Sequence, residues 1–136
     1  MDALGRLFNA ATSATTAATP FGLKDAGGAT IILIGATSGA ATLQEAQDSA
    51  GTGAQNLACI TKYYRQASGV WTKVTQAAAA TVTAGTGGLL VFEVEGSQLS
   101  DTYTHITVSH ASGSFVILPR DLTVQRKPEN LRSVTA

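Results

Sequence analysis

Hydrophobic and polar positions alternate in short bursts from Gly27 onward, and glycine or serine breaks separate the bursts. ATIILIG (29–35) is a continuous apolar run of strand length, rich in β-branched residues, and predicts a central strand buried on both faces. ATLQEAQD (41–48) fits a strand or a short helix, and its period does not choose between them. SAGTGAQN (49–56) reads as a loop. LACITKYYRQ (57–66) and VWTKVTQ (70–76), joined by ASG, predict a hairpin. In the second strand Val70, Thr72 and Val74 fall on one side, and Trp71, Lys73 and Thr75 on the other.

AAAATVTA (77–84) mixes helix-favouring alanines with a strand-favouring TVT; the GTGG that follows tips it to strand. LLVFEVEG (89–96) places Leu90, Phe92 and Val94 on one face and Val91, Glu93 and Glu95 on the other. SQLSD predicts one helical or 3₁₀ turn. YTHITVSHA (103–111) puts Ile106 and Val108 on its inner face, and SFVILPRDL (114–122) is the last strand of the body. The sum predicts an all-β fold. It is a compact β-sandwich or barrel of six to eight short antiparallel strands, with extended N- and C-terminal arms.

The ends differ from this body. In residues 1–26, MDALGRLF can form a turn or two of helix. NAATSATTAATP has little to bury and reads as an arm or linker. The body is expected over 27–119. From Arg120 to Ala136 the chain carries Arg120, Arg126, Lys127 and Arg132, with Pro128 excluding a regular central strand. Such ends are expected to lie across a neighbouring subunit, with arginines pairing carboxylates there; the alternative is that they fold back on their own sheets.

Composition narrows the function. Among 136 residues, 44% are hydrophobic but only 13% are charged, and nine Lys+Arg balance nine Asp+Glu. Little self-repulsion then opposes contact with other proteins. Zero net charge argues against neutralising many phosphates, so no nucleic-acid partner is expected. No membrane partner is expected either, because IILI is too short to span a bilayer, and the N-terminus lacks the apolar run of a signal peptide. Cys59 is the only cysteine. It cannot form an intrachain disulfide or a cysteine zinc site, and it reads as a small core residue.

The candidate chemistry is thin. His105 and His110, five apart, face opposite sides of a regular strand and cannot share a metal. Glu93 and Glu95 share a face whose reverse is apolar, which suits a solvated or interface-facing side rather than an acid-base pair. Asp101 and His105 lack a G-x-S-x-G elbow, and GTGAQN lacks the third glycine of a dinucleotide fingerprint and the lysine of a phosphate loop. No catalytic residue, cofactor or metal site is therefore expected. Of Tyr63 and Tyr64 one points in and one out. Trp71 reads as core or interface, although an outward aromatic beside Arg or Lys can also stack on a sugar.

The stretch from Thr42 to Leu131 resembles small virion structural proteins of tailed bacteriophages that infect actinobacteria. The blocks carrying the resemblance are TLQEAQDSAGTGAQNLACITKYYRQASGVWTKV, VFEVEGSQLSDTYTHITVSH and DLTVQRKPENL. It implies a capsid decoration or cement protein on the virion surface, made in the host cytoplasm. Its implied partners are the major capsid protein and other copies of itself, as trimers. A head–tail connector, a tail component and a host-surface carbohydrate-binding module are the alternatives. The residues expected to touch a partner are Arg120, Arg126, Lys127, Pro128, Arg132, Tyr64 and Trp71.

Overall fold

A computed structural model describes residues 11–14, 19–36, 39–85 and 88–123. These form eleven strands: β1 (Ala11–Ala14), β2 (Phe21–Gly22), β3 (Gly28–Ala36), β4 (Gly39–Ala46), β5 (Gln55–Asn56), β6 (Ile60–Ala67), β7 (Val70–Ala79), β8 (Thr81–Ala84), β9 (Gly88–Glu95), β10 (His105–Ser109) and β11 (Ser114–Arg120). A 3₁₀ turn at Gly96–Gln98 follows β9. The strands make two antiparallel sheets. One has the order β1-β11-β3-β9-β6-β7; the other runs β2-β10-β4-β5, with β8 also on β4. Their inner faces meet in one apolar cluster, a β-sandwich-like arrangement.

The alternating pattern sets which side chains enter that cluster. Leu90, Phe92 and Val94 of β9 are buried, while Glu93 and Glu95 are exposed. Ile106 and Val108 of β10 are buried, as their period requires. Residues 41–48, undecided between helix and strand, supply β4. There Ala41, Leu43 and Glu45 line the inner side, while β8 and β5 share one edge and β10 takes the other.

More strands appear than the six to eight expected. Two of the extra ones, β2 and β5, are two residues long, and such short pairings leave no period to read. The AAAATVTA segment is strand, as its TVT suggested, but it divides: β7 runs to Ala79 and β8 begins at Thr81.

Three expectations change. β3 is buried on one face, not two. Ala29, Ile31 and Leu33 are fully covered, whereas Ile34 is 44% exposed and Ile32 partly so. The second sheet covers one side only, and among the described residues nothing covers the other.

The boundary at residue 26 also moves. Phe21 and Leu23 sit in the core, and β2 pairs with β10. β1 pairs with β11 of the same chain, so residues 11–14 fold back on their own sheet. Finally, Arg120 ends β11 opposite Gly28, and residues 121–123 stay tied to the body through the Thr123 N–H bond to the Asp25 carbonyl. Residues 124–136, the bulk of the expected C-terminal arm, lie outside the described residues, as do 1–10 and 15–18 of the N-terminal arm.

The β6–β7 hairpin forms where expected. Ala67 pairs with Val70 across a two-residue loop, Ser68–Gly69. Both loop residues have positive φ, 49° and 78°, the geometry of the turn whose twist matches antiparallel strands. Close approach explains another glycine: a methyl group on Gly88 would overlap the Gln66 carbonyl.

Candidate functional site

Alternation gives the six-stranded sheet an outer face. In one row across four strands lie Val116, Ile32, Val91 and Tyr64, followed by Lys73. In the next row lie Ile34, Leu89, Gln66 and Trp71. Tyr64 is 41% and Trp71 49% exposed. They sit diagonally on neighbouring strands, within reach for aromatic side chains. Contiguous apolar surface of this kind marks interaction sites more often than solvent-facing skin.

The hairpin also reaches past the second sheet. No residue of β7 is buried, and Val70, on the opposite face from Trp71, is 66% exposed. Tyr63 points inward, buried, and its hydroxyl accepts the Thr83 N–H at 3.3 Å. One tyrosine in and one out follows from strand alternation. Trp71, read from sequence as core or interface, is not core.

Between β6 and β9 the ladder covers only Tyr64–Gln66 against Leu89–Val91. Beyond it opens a groove of about 470 Å³, lined by Cys59, Lys62, Tyr64, Val91, Glu93 and Glu95 among others. Cys59 packs against the core as a partly buried thiol, and burial pushes its pKa up. A raised thiol pKa works against a thiolate nucleophile.

Glu93 and Glu95 stand beside Arg120 rather than beside a reacting centre. The Arg120 guanidinium bonds Glu95, lies 4.0 Å from Glu93, and bonds Asp121 at 3.4 Å. Arg120 was expected to reach a partner. Its charge is engaged within its own chain, because β11 and β9 both flank β3 and finish opposite its Gly28 end. Arg126, Lys127, Pro128 and Arg132 fall outside the described residues. Of the predicted contact residues, the fold therefore brings together Tyr64 and Trp71.

Both histidines are structural in setting. His105 Nδ1 lies 2.7 Å from Thr104 Oγ1, and His110 Nδ1 accepts the Ser112 N–H at 3.1 Å. Both are buried. Among the described residues no group of three or more His, Cys, Asp or Glu side chains comes close enough to hold a metal.

Sequence reasoning missed Glu45. It is 1% exposed and accepts hydrogen bonds from Gln55 Nε2 (2.6 Å), Ser100 Oγ (2.6 Å) and Ser100 N–H (2.8 Å). Burial raises its pKa, but the bonds from Ser100 and Gln55 outweigh that and hold it below the ordinary value. The arrangement joins β4, β5 and the loop after the 3₁₀ turn. Its sequence signal was the in-phase triplet Ala41, Leu43, Glu45, which puts a carboxylate on an apolar face.

Compared with known protein families, curated proteins and solved structures, the chain matches none of them.

Proposed function

We propose that this protein is a non-enzymatic virion structural protein, a capsid decoration or cement protein that stabilises a shell by bridging its subunits. The observation that carries the reading is one part of the outer face of the six-stranded sheet, where Val116, Ile32, Val91 and Tyr64 form an apolar row with Ile34, Leu89 and Trp71 beside it, next to the charged Glu93–Glu95–Arg120 end of the same face. A chain with 13% charged residues has little electrostatic resistance to being covered there. At roughly 25 cal/mol per Å², covering a few hundred Å² of apolar surface supplies several kcal/mol per copy before association costs. Repeated over a shell, that sum opposes separation of the subunits. The major capsid protein is the proposed partner, with other copies of this chain beside it.

The test uses the full chain and shells of the major capsid protein of the same virus, sedimented together. Wild-type protein is expected to travel with the shells, and a Tyr64→Asp/Trp71→Asp double variant to stay in the supernatant. Bare shells with the wild type overturn the reading. A ring-sized oligomer would instead indicate a connector. The exposed Tyr64–Trp71 pair beside Lys73 also suits sugar stacking; binding on a glycan array that vanishes with Trp71→Ala would favour a carbohydrate module.

A further inference from the structure

β7 ends the six-stranded sheet, so one side of its backbone has no strand partner among the described residues. Edges of this kind template pairing with another chain, and proteins usually blunt them with proline, charged side chains such as lysine, bulges or short length; β7 carries one lysine and one bulge, both towards or beyond its middle, and its Val70–Thr72 end has neither. β7 is ten residues long, contains no proline, and has one charge, Lys73. It also exposes Val70 and Trp71, the two most exposed large apolar side chains of the described residues.

The strand's own irregularity limits where a partner can sit. Against β6, residues Val70–Thr75 pair in regular register, but from Thr75 to Ala79 β7 spends four steps where β6 spends two. That bulge bends the edge, leaving Val70–Thr75 as the straight template. For two identical strands related by a two-fold axis, opposed residues must share a face, so the axis passes through a residue rather than between two. An axis at Lys73 sets two ammonium groups against each other, which is unfavourable.

An axis at Thr72 opposes Thr72 to Thr72, Val70 to Val74, and Trp71 to Lys73. The last two pairs each occur twice. All three are favourable cross-strand combinations: hydroxyl with hydroxyl, branched aliphatic with branched aliphatic, and cation with indole. The two most exposed apolar side chains are the ones this register covers.

We infer that β7 pairs antiparallel with β7 of a second copy about a two-fold axis at Thr72, joining two six-stranded sheets edge to edge. The partner is this same chain, and the contact is mostly backbone, with side-chain pairs fixing the register. The two outer apolar faces then become parts of one broader surface. The inference deepens the assembly reading and rests on it for the idea that the hairpin is held out for a partner.

The experiment is sedimentation velocity on the full chain, combined with a cysteine scan of residues 70–75 in a Cys59→Ser background. A dimer is expected at tens of micromolar. Mild oxidation should cross-link Thr72→Cys with itself most efficiently. Val70→Cys should cross-link with Val74→Cys in a mixture, and neither with itself. Trp71→Ala and Lys73→Ala are each expected to weaken the dimer about tenfold, with urea midpoints unchanged at concentrations too low for the dimer to form, which shows that the fold persists. A monomer at all concentrations, a trimer, a cross-linking maximum elsewhere, or a dimer indifferent to both alanine variants overturns the inference. A monomer that still coats shells sinks this inference alone, and a dimer that leaves shells bare sinks the assembly reading alone.

Discussion

β3 and β7 belong to the same sheet, run nine and ten residues, and are both apolar by composition. In β3 every inner residue of the triplet Ala29, Ile31, Leu33 is fully buried; in β7 nothing is. The difference is where each strand lies under the second sheet. β3 has β9 and β11 as neighbours and a covered inner face. β7 has β6 on one side and, among the described residues, no strand on the other, and none of its residues is buried. Strand propensity alone therefore sets neither burial nor stability. What a strand contributes depends on what is opposite its face.

Substitutions in the two regions should separate them sharply. Phe92→Ala, under the second sheet in β9, is expected to cost about 3–5 kcal/mol of stability. Trp71→Ala in β7 should stay within about 0.5 kcal/mol while weakening self-association. Urea denaturation of both variants checks the contrast; equal losses would mean the hairpin is covered in the lone chain.

The buried carboxylate gives a second contrast, this time with pH. Glu45→Ala removes the acceptor for Ser100 and Gln55 and should cost about 1–3 kcal/mol. Because the folded-state pKa of Glu45 lies below its ordinary 4.5, its contribution is complete above that value. It disappears as the pH falls through the depressed folded value. Wild-type stability should therefore drop more steeply below about pH 4.5 than that of Glu45→Gln, as chemical denaturation at stepped pH would reveal.

The turn that carries the hairpin should matter less. Gly69→Ala forces a methyl-bearing residue to φ 78° and should cost about 1 kcal/mol, read from the urea midpoint. Smallest of all, Thr102 holds φ 73° with a β-branched side chain. Thr102→Asn relaxes that strain and should raise stability by about 0.5 kcal/mol.

Much of this was legible in advance. Period-two alternation located the inner faces of β9 and β10 and the Tyr63/Tyr64 split, and the ASG segment located the β6–β7 turn, because those features depend only on neighbouring residues. The core role of Phe21 was not legible: two residues of strand carry no period, and the alanine-rich segment before it resembles a linker. Glu45 stood inside a segment whose helix and strand readings were equal, so the donors that make its burial tolerable, fifty-five residues away in Ser100, were invisible. Arg120 looked available for a partner for the same reason, since two of its three carboxylates, Glu93 and Glu95, come from β9.

The sequence by itself determined that this chain is built of short strands, which side chains of most strands share a face, and where its tightest hairpin turns. Those outcomes follow from local sterics and from alternation along an extended backbone. Only the tertiary structure decided which of those faces is covered, that Phe21 and Leu23 join the core, and that Glu45 and Arg120 find partners within the chain. It also decided that β7 stands last in its sheet among the described strands. Each of these depends on contacts between residues distant in sequence, and no local pattern encodes which sheet will lie above a given strand.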